Sequence, residues 1–556
     1  MLKTYTYPKY HYQRPPELDA AGARRPVLIV GAGPVGLTAA LDCHLHGIPA
    51  IVIDDDDTVS VGSRGLCYAK RALEVLDRVG VGQAVVDKGV EWNVGRTFFR
   101  DKEVYSFNLL PEPDHKRPGM INLQQYYLEE YLVNRCNEVG IEIRWKNKVV
   151  SVTPADDRVS LQVETADGVY GIECDWLIVC DGARSPIRTM MGLDIDGKIF
   201  MDRFLIADVV MKADFPAERW FWFDPPFHPN QSVLLHREAD NVWRIDFQLG
   251  WDADPQAEKQ PERVIPRIQA MLGKDREFEL EWVSVYTFQC RRMNRFNDGR
   301  VMFAGDAAHQ VSPFGARGAN SGVQDTDNLI WKLKLVIDGK APAKLLDTYS
   351  DERCWAADEN ILNSTRSTDF ITPKSNASKQ IRTAVLQLAQ KHAFARKLVN
   401  SGRLSVPAYY TGSALNTPDS DSFAGMMEPG APMDDAPVRV NGHDPADQWL
   451  LDHVGNRFQA LLFADDVATL DGSQLRALAE GGGGQFPVQP VVITPGSKAV
   501  PGILTLQDVK GRFAQRYDAR DGTVYLARPD QHVAARWRSL DLASIRAAVL
   551  RATCNA

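Results

Sequence analysis

The sequence predicts an α/β protein in three parts: a strand–turn–helix–strand unit near the N-terminus, a strand-rich insertion followed by a return to core strands, and a second, smaller α/β unit at the C-terminus. Three observations predict it. "VLIVGAGPVGLTAALDCHLHGIPAIVID", residues 27–54, sets glycines at G-x-G-x-x-G spacing between two apolar runs. Residues 200–295 alternate as strands do and are dense in aromatics. After a stretch rich in Pro, Gly and Ser at 401–430, short apolar runs and helical patterns begin again.

Bulk properties set outer limits. A chain of 556 residues is too long for one hydrophobic core. A net charge of -8 argues against a nucleic-acid surface, which needs a positive field. The eight cysteines form no C-x-x-C pair, so neither a disulfide framework nor a metal site is expected. No apolar run reaches the length of a membrane span, and the first 25 residues lack the apolar core of a signal peptide. These points together read as a cytoplasmic protein without a membrane partner.

Residues 1–25 read as an N-terminal arm. In the turn that follows the first strand, the three glycines serve different purposes. Gly31 allows the tight bend, Gly33 the close approach of a pyrophosphate, and Gly36 the packing of helix on strand. The helix start offers free N–H groups to phosphate. Asp54, closing the second strand, is placed to accept ribose hydroxyls. Helices are expected within 64–80 and 121–140, and a hairpin turns at Asp167–Gly168. A core strand at 176–180 delivers "DGARSPIR", residues 181–188. Another at 300–304 delivers "GDAAHQVSPFGARGANSG", 305–322, and helices follow to about 400. Of the aromatics in 204–288, most are expected to be sheet core, with a minority facing a flat ligand. Arg528–Pro529–Asp530 reads as surface packing. The divisions are 1–25 (arm), 26–98, 99–200, 201–295, 296–400, 401–430 (linker) and 431–556.

The glycine turn, DGARSPIR and GDAAH, in that order, resemble the class A FAD-dependent aromatic hydroxylases of the para-hydroxybenzoate hydroxylase fold. With the C-terminal unit, the chain looks like the branch of phenol and 3-(3-hydroxyphenyl)propionate hydroxylases. The resemblance implies a Rossmann-like FAD-binding domain with an inserted antiparallel-sheet substrate domain and a thioredoxin-like C-terminal domain, here without C-x-x-C. It implies FAD as cofactor, NADH or NADPH as co-substrate, and O2. The implied reaction is hydroxylation of a phenolic ring through a flavin C4a-hydroperoxide. A small phenolic acid is the first substrate expectation, a larger polycyclic or polyketide aromatic the second, and a non-catalytic flavin-binding scaffold a reading of another class.

Carried over by motif, the cofactor residues are Gly31, Gly33, Gly36, Asp54, Arg64, Gln125, Asp181, Arg184, Asp306, Pro313, Gly318 and Asn320. His309 is expected to fix its loop. Trp222, His236, Tyr286 and Phe288 are the substrate-side expectations, and Arg203, His236, Arg237 and Arg244 are candidates to meet a carboxylate. No catalytic base is assigned and no metal is expected. Ala316–Arg317 departs from the Gly-Gln of the branch and leaves the loop's path open. Nothing fixes an oligomeric state; a homodimer stays open.

Overall fold

A computed structural model describes all residues except 1, 3, 21, 23, 214, 401–403, 442–445 and 481–485. The first apolar run forms strand Arg25–Val30, flanked in parallel by Ala50–Ile53 on one side and Gly168–Val179 on the other. Glu142–Arg144 extends the sheet beyond the second strand, and Val301–Phe303 extends it beside Leu177–Val179, both in parallel. All the loops that carry motifs therefore leave the same, carboxyl edge of one parallel sheet, where open α/β sheets bind ligands. Helix Pro34–Leu45 packs between this sheet and the helices Gln125–Glu138 and Gly318–Ile337. Its interior is apolar on nearly every side, as a helix buried between layers must be.

The insertion is an eight-stranded sheet. Its long central strands, Asp196–Val210 and Glu279–Arg292, run antiparallel, with Val242–Leu249, Ser232–Arg237 and Arg219–Phe223 following in order. Strands Val94–Phe99 and Lys102–Asn108 extend it at one edge, and the short strand His309–Gln310 pairs with Glu279–Arg292 at the other. This corrects the expected division: residues 94–108 belong to the inserted sheet, because Arg219–Phe223 pairs in parallel with Gly95–Phe99 across more than a hundred residues. Local pattern cannot show such a pairing.

The C-terminal unit is a seven-stranded mixed sheet. Gln459–Phe463, Gln489–Thr494 and Leu504–Asp508 are parallel; Val524–Ala527 pairs antiparallel with Gln459–Phe463 and forms a hairpin with Val533–Trp537. Helix Leu542–Ala552 covers one face. The hairpin's turn holds a second correction. Arg528 and Asp530 are buried rather than on the surface, because the turn enters between the long helices of the first domain. There Arg528 donates to both oxygens of Glu352 at 2.7 and 3.0 Å and to Asp530 at 2.6 and 3.0 Å. The arm lies across the first domain: Tyr5 stacks on Tyr126 at 4.2 Å and Tyr10 on Trp145 at 4.4 Å.

Candidate active site

At the glycine turn, the three positions behave differently. Gly31 has φ 109°, and a Cβ there would fall 2.3 Å from the Cys180 carbonyl oxygen. A Cβ on Gly36 would fall 1.9 Å from the Gly31 carbonyl oxygen. A Cβ on Gly33 would meet nothing within 4 Å, so the space beside it is open. Gly33 caps helix Pro34–Leu45 without any side-chain acceptor, which leaves the first N–H groups facing that space. Asp54 borders it: Oδ2 accepts from the Ala32 N–H at 2.5 Å and Oδ1 from the Asp56 N–H at 2.8 Å. Burial pushes the Asp54 carboxyl up to about 6, against those two N–H groups.

DGARSPIR and GDAAH are stitched together beside it. Arg188, buried, donates to the Ala307 carbonyl at 2.6 Å, and Gln310 Nε2 donates to the Ala183 carbonyl at 2.6 Å. Asp181 accepts from the Ile187 N–H at 3.0 Å through Oδ2, while its buried Oδ1 has no partner. The Arg184 side chain is exposed. Gly305, at φ 62°, and Gly322 sit so close to Val35 that a Cβ on either would come within 2.9 Å of it. The third motif is thus pressed against the helix of the first. The Asp306 side chain is exposed where the strand Val301–Phe303 ends. Partial desolvation by the protein around it raises its carboxyl, His309 opposing and Asp325 assisting. His309 is turned inward, with Nε2 2.7 Å from Asp325 Oδ2, and Asp325 also accepts from the Gly305 N–H at 2.8 Å.

In the loop 313–318, Pro313 is exposed and Ala316 takes the left-handed conformation at φ 52°, where glycine would be easier. Arg317 is buried and bonded to Asn360 and to the Leu404 carbonyl. Gly318 stands next to Asp306, whose Oδ1 would lie 3.9 Å from a Cβ placed there. Asn320 accepts from the Ala69 N–H at 2.8 Å and donates to the carbonyls of Cys67 and Ala316. It ties this loop to the strand Cys67–Ala69. Gln125 accepts from the Gly65 N–H at 2.7 Å and so fixes the segment that presents exposed Arg64.

The chain matches the FAD-binding domain family over residues 24–364. The chain belongs to that family. It is 30% identical over 477 residues, 81% of each chain, to the 6-methylpretetramide 4-monooxygenase of Streptomyces rimosus. It is 26% identical over 526 residues, covering 92% of this chain and 88% of the relative, to a 3-(3-hydroxy-phenyl)propionate/3-hydroxycinnamic acid hydroxylase of Mycolicibacterium gilvum (strain PYR-GCK). The fold is similar to that in a crystal structure of a ternary complex of aklavinone-11 hydroxylase with FAD and aklavinone. There the TM-score is 0.75, with 20% identity, 96% of this chain and all of that one. The protein is an FAD-dependent aromatic monooxygenase of class A, and it uses FAD with NAD(P)H.

The monooxygenase's inserted sheet has one face toward the motif loops. Phe288 lies on it, its ring 5.1 Å from Phe204 and 5.1 Å from Phe314 of the 313–318 loop. Tyr286, opposite Phe204, and His236 are on the same face. Trp222 is not. Side chains alternate along a strand, so Phe221 and Phe223 face inward and Trp222 outward. Trp222 stacks on Phe98 and is buried in the cluster that includes Val264 and Ile268 of helix Pro261–Leu272. The expectation for Trp222 is therefore corrected to sheet core.

Sequence reading named His236 and Arg244 in the polar half of the inner face but missed its acids, Asp208, Glu238 and Asp246. Arg244 donates to both oxygens of Asp208 at 2.8 Å and stands 3.2 Å from Glu238. Asp246 is beside Leu234 and Ile206, with Oδ1 buried and unpartnered. Burial pushes its carboxyl up to about 7, against the charge of Arg244. Burial, then Arg219 and Arg244, hold His236 well below the usual imidazole range, so it is neutral. None of the four candidate carboxylate partners stands open. Arg244 is spent on acids, Arg203 on the Ala253 carbonyl, and Arg237 lies over Trp243 of the outer face. The signal available in sequence was the run of charges at every second residue of a strand, Arg244 and Asp246, which marks one face.

Among the described residues no group of three His, Cys, Asp or Glu could hold a metal.

Proposed function

We propose that this monooxygenase hydroxylates a polycyclic phenolic ring system rather than a small phenolic acid. The observation that carries the reading is the inner-face charge: carboxyl groups of Asp246 and Glu238 point into the polar half, and Arg244 is already neutralised. A substrate carboxylate placed there would find Arg244 already paired with Asp208 and would lose its hydration without a free partner in return from that arginine. The relative at 30% identity is named for a pretetramide, and the fold neighbour binds aklavinone. Both names denote fused ring systems.

In this reading FAD lies along the carboxyl edge of the parallel sheet. Gly31, Gly33 and Gly36 with the helix start take the pyrophosphate, Asp54 the ribose, and Arg64 a phosphate. Asp181 and Asp306 meet the polyol side, and Pro313, Gly318 and the loop braced by Asn320 flank the ring. The fit rests on the open space beside Gly33, the unpartnered Asp181 Oδ1 and the exposed Asp306 carboxyl beside Gly318. When bound, FAD accepts hydride from NAD(P)H and activates O2 for transfer to the ring. The chain's residues do the rest. Phe204, Phe288 and Phe314 form a dry aromatic wall that keeps water from the reacting centre. Asp246 Oδ1, free of partners, accepts the proton of a substrate hydroxyl and so makes the ring a better nucleophile. Arg244 holds the negative charge of the neighbouring carboxyls. Backbone N–H groups at the start of helix Gly318–Ile337 favour negative charge on the bound ring.

We also read the C-terminal unit as thioredoxin-like. Strand Gln459–Phe463, helix Gly472–Ala479, strand Gln489–Thr494, the antiparallel hairpin and the final helix support this order. With no C-x-x-C in the chain its part is structural, through Arg528 and Glu352.

Equilibrium titration of the FAD-loaded enzyme, followed by perturbation of the flavin spectrum, tests the substrate reading. Fused-ring phenols are expected to bind at least about tenfold tighter than 3-(3-hydroxyphenyl)propionate, the factor of one unmet charge. The reverse order would exclude it.

A further inference from the structure

From Phe370 to Pro418 the chain contains no Asp or Glu and seven Lys or Arg, in a protein of net charge -8. Much of this segment forms two packed helices, Asn376–Ala389 and Ala393–Arg396. Their inner sides, with Leu386, Ala389 and Ala395, close the cluster that contains Phe204, Phe288 and Phe314. Their outer sides are apolar as well. Ile381 is 66% exposed, Leu388 44%, Phe394 64% and, just after the second helix, Leu398 57%. Ile381 and Leu388 are two turns apart and share one stripe. Exposed Lys379, Lys391, Arg396 and Lys397 stand among them. Lys379 donates to the Asn230 amide and Arg396 to the Ala389 carbonyl, and among the described residues no ion pair joins any of the four to a carboxylate.

Such a face has two needs at once: apolar cover for four large side chains, and negative charge for four cations. A second copy of the chain on a two-fold axis supplies the first but sets the same cations against themselves. An anionic lipid surface supplies both. Leu, Ile and Phe enter the boundary between headgroups and acyl chains, and Lys and Arg remain among the phosphates. We propose that this face docks the monooxygenase on an anionic bilayer surface. It lies on the membrane and does not cross it; no helix of the described residues is long and apolar enough to span. The docked face is the outer side of the wall behind the aromatic cluster, which brings that wall to the layer where fused-ring compounds dissolve.

The test is flotation of the full-length, FAD-loaded enzyme with vesicles of phosphatidylcholine, alone or mixed with phosphatidylglycerol. Recovery with the mixed vesicles is expected to exceed that with phosphatidylcholine alone by about tenfold or more, and to fall at high salt. The pair Phe394→Asp with Leu398→Asp, and separately Lys391→Glu with Lys397→Glu, should each lower recovery by about tenfold, with FAD content and turnover in solution unchanged. Absence of flotation of the folded wild type with the mixed vesicles overturns the proposal. So does wild-type flotation by both double variants. A wild-type dimer that these substitutions convert to monomer also overturns it, since the face then belongs to a second copy.

Discussion

The two faces of the inserted sheet are built from the same strands and differ in nearly everything else. The outer face, with Leu205, Trp222, Phe247 and helix Pro261–Leu272, is a closed apolar core. The inner face is divided. One half is aromatic, around Phe204 and Phe288; the other buries Asp208, Arg244, Glu238 and His236, with Asp246 half-buried among them. An ordinary core has no use for five ionisable groups, since each costs desolvation free energy that only pairing can offset. The difference teaches that the aromatics of a strand say little about function until the face is known. The charged residues that share a face say more.

Substitutions on the two faces should separate stability from chemistry. The largest effect is expected on the outer face. Trp222→Ala should lower the unfolding free energy by about 3–5 kcal/mol, as a truncated buried aromatic does. Turnover per folded, FAD-loaded molecule should be unchanged. Denaturant unfolding and flavin-normalised turnover measure the two; lost turnover with normal stability would return Trp222 to the substrate side. Asp306→Ala, at the end of the strand Val301–Phe303, should fold normally and weaken FAD binding by about 1.5–3 kcal/mol, one charge-assisted hydrogen bond. Titration of the apoprotein reads it, and an unaltered dissociation constant would remove Asp306 from the site.

Asp246→Asn sharpens the inner half through pH. A carboxyl raised from 3.8 to about 7 binds its proton more tightly in the folded protein than in the unfolded chain. Its contribution to stability is therefore lost as pH rises through that window. The Asn variant has no such loss, so its melting temperature should gain on the wild type between about pH 4 and about pH 7 and then run parallel. A constant gap across that range would mean that Asp246 titrates normally. In turnover, the same variant should lose a pH-dependent limb near neutrality. The smallest effect is expected from Phe288→Leu: less than about 1.5 kcal/mol in stability. A larger share of NAD(P)H should then end as peroxide because the wall is less tight. Peroxide assay against NAD(P)H consumed checks it.

The loops at the carboxyl edge of the parallel sheet are legible in the sequence because their parts are local. Gly31 to Asp54 form one contiguous unit, and each of the other motifs follows directly on an apolar strand. The inner face of the inserted sheet is legible only in part. The pattern finds Phe288 and Tyr286 but sets Trp222 with them, because alternation tells that neighbours face opposite ways and not which way is inward. That choice depends on register, and the register of Asp196–Val210 shifts after Asp208. The buried Arg528–Asp530 turn is not legible at all. Its partner, Glu352, is 176 residues away, and nothing in either stretch announces the other. Arg317 illustrates the same limit: its partners Asn360 and Leu404 lie far along the chain, so only the fold shows that it turns inward.

The central claim is that the charged half of the inner face selects a neutral fused-ring phenol. Its most direct test is steady-state turnover of the FAD-loaded enzyme with such a phenol and with 3-(3-hydroxyphenyl)propionate, measuring NAD(P)H consumed, O2 consumed and hydroxylated product together. The fused-ring phenol is expected to stimulate NAD(P)H oxidation and give product in step with O2, while the phenylpropionate does neither. Stoichiometric hydroxylation of the phenylpropionate, with the fused-ring phenol inert, would contradict it.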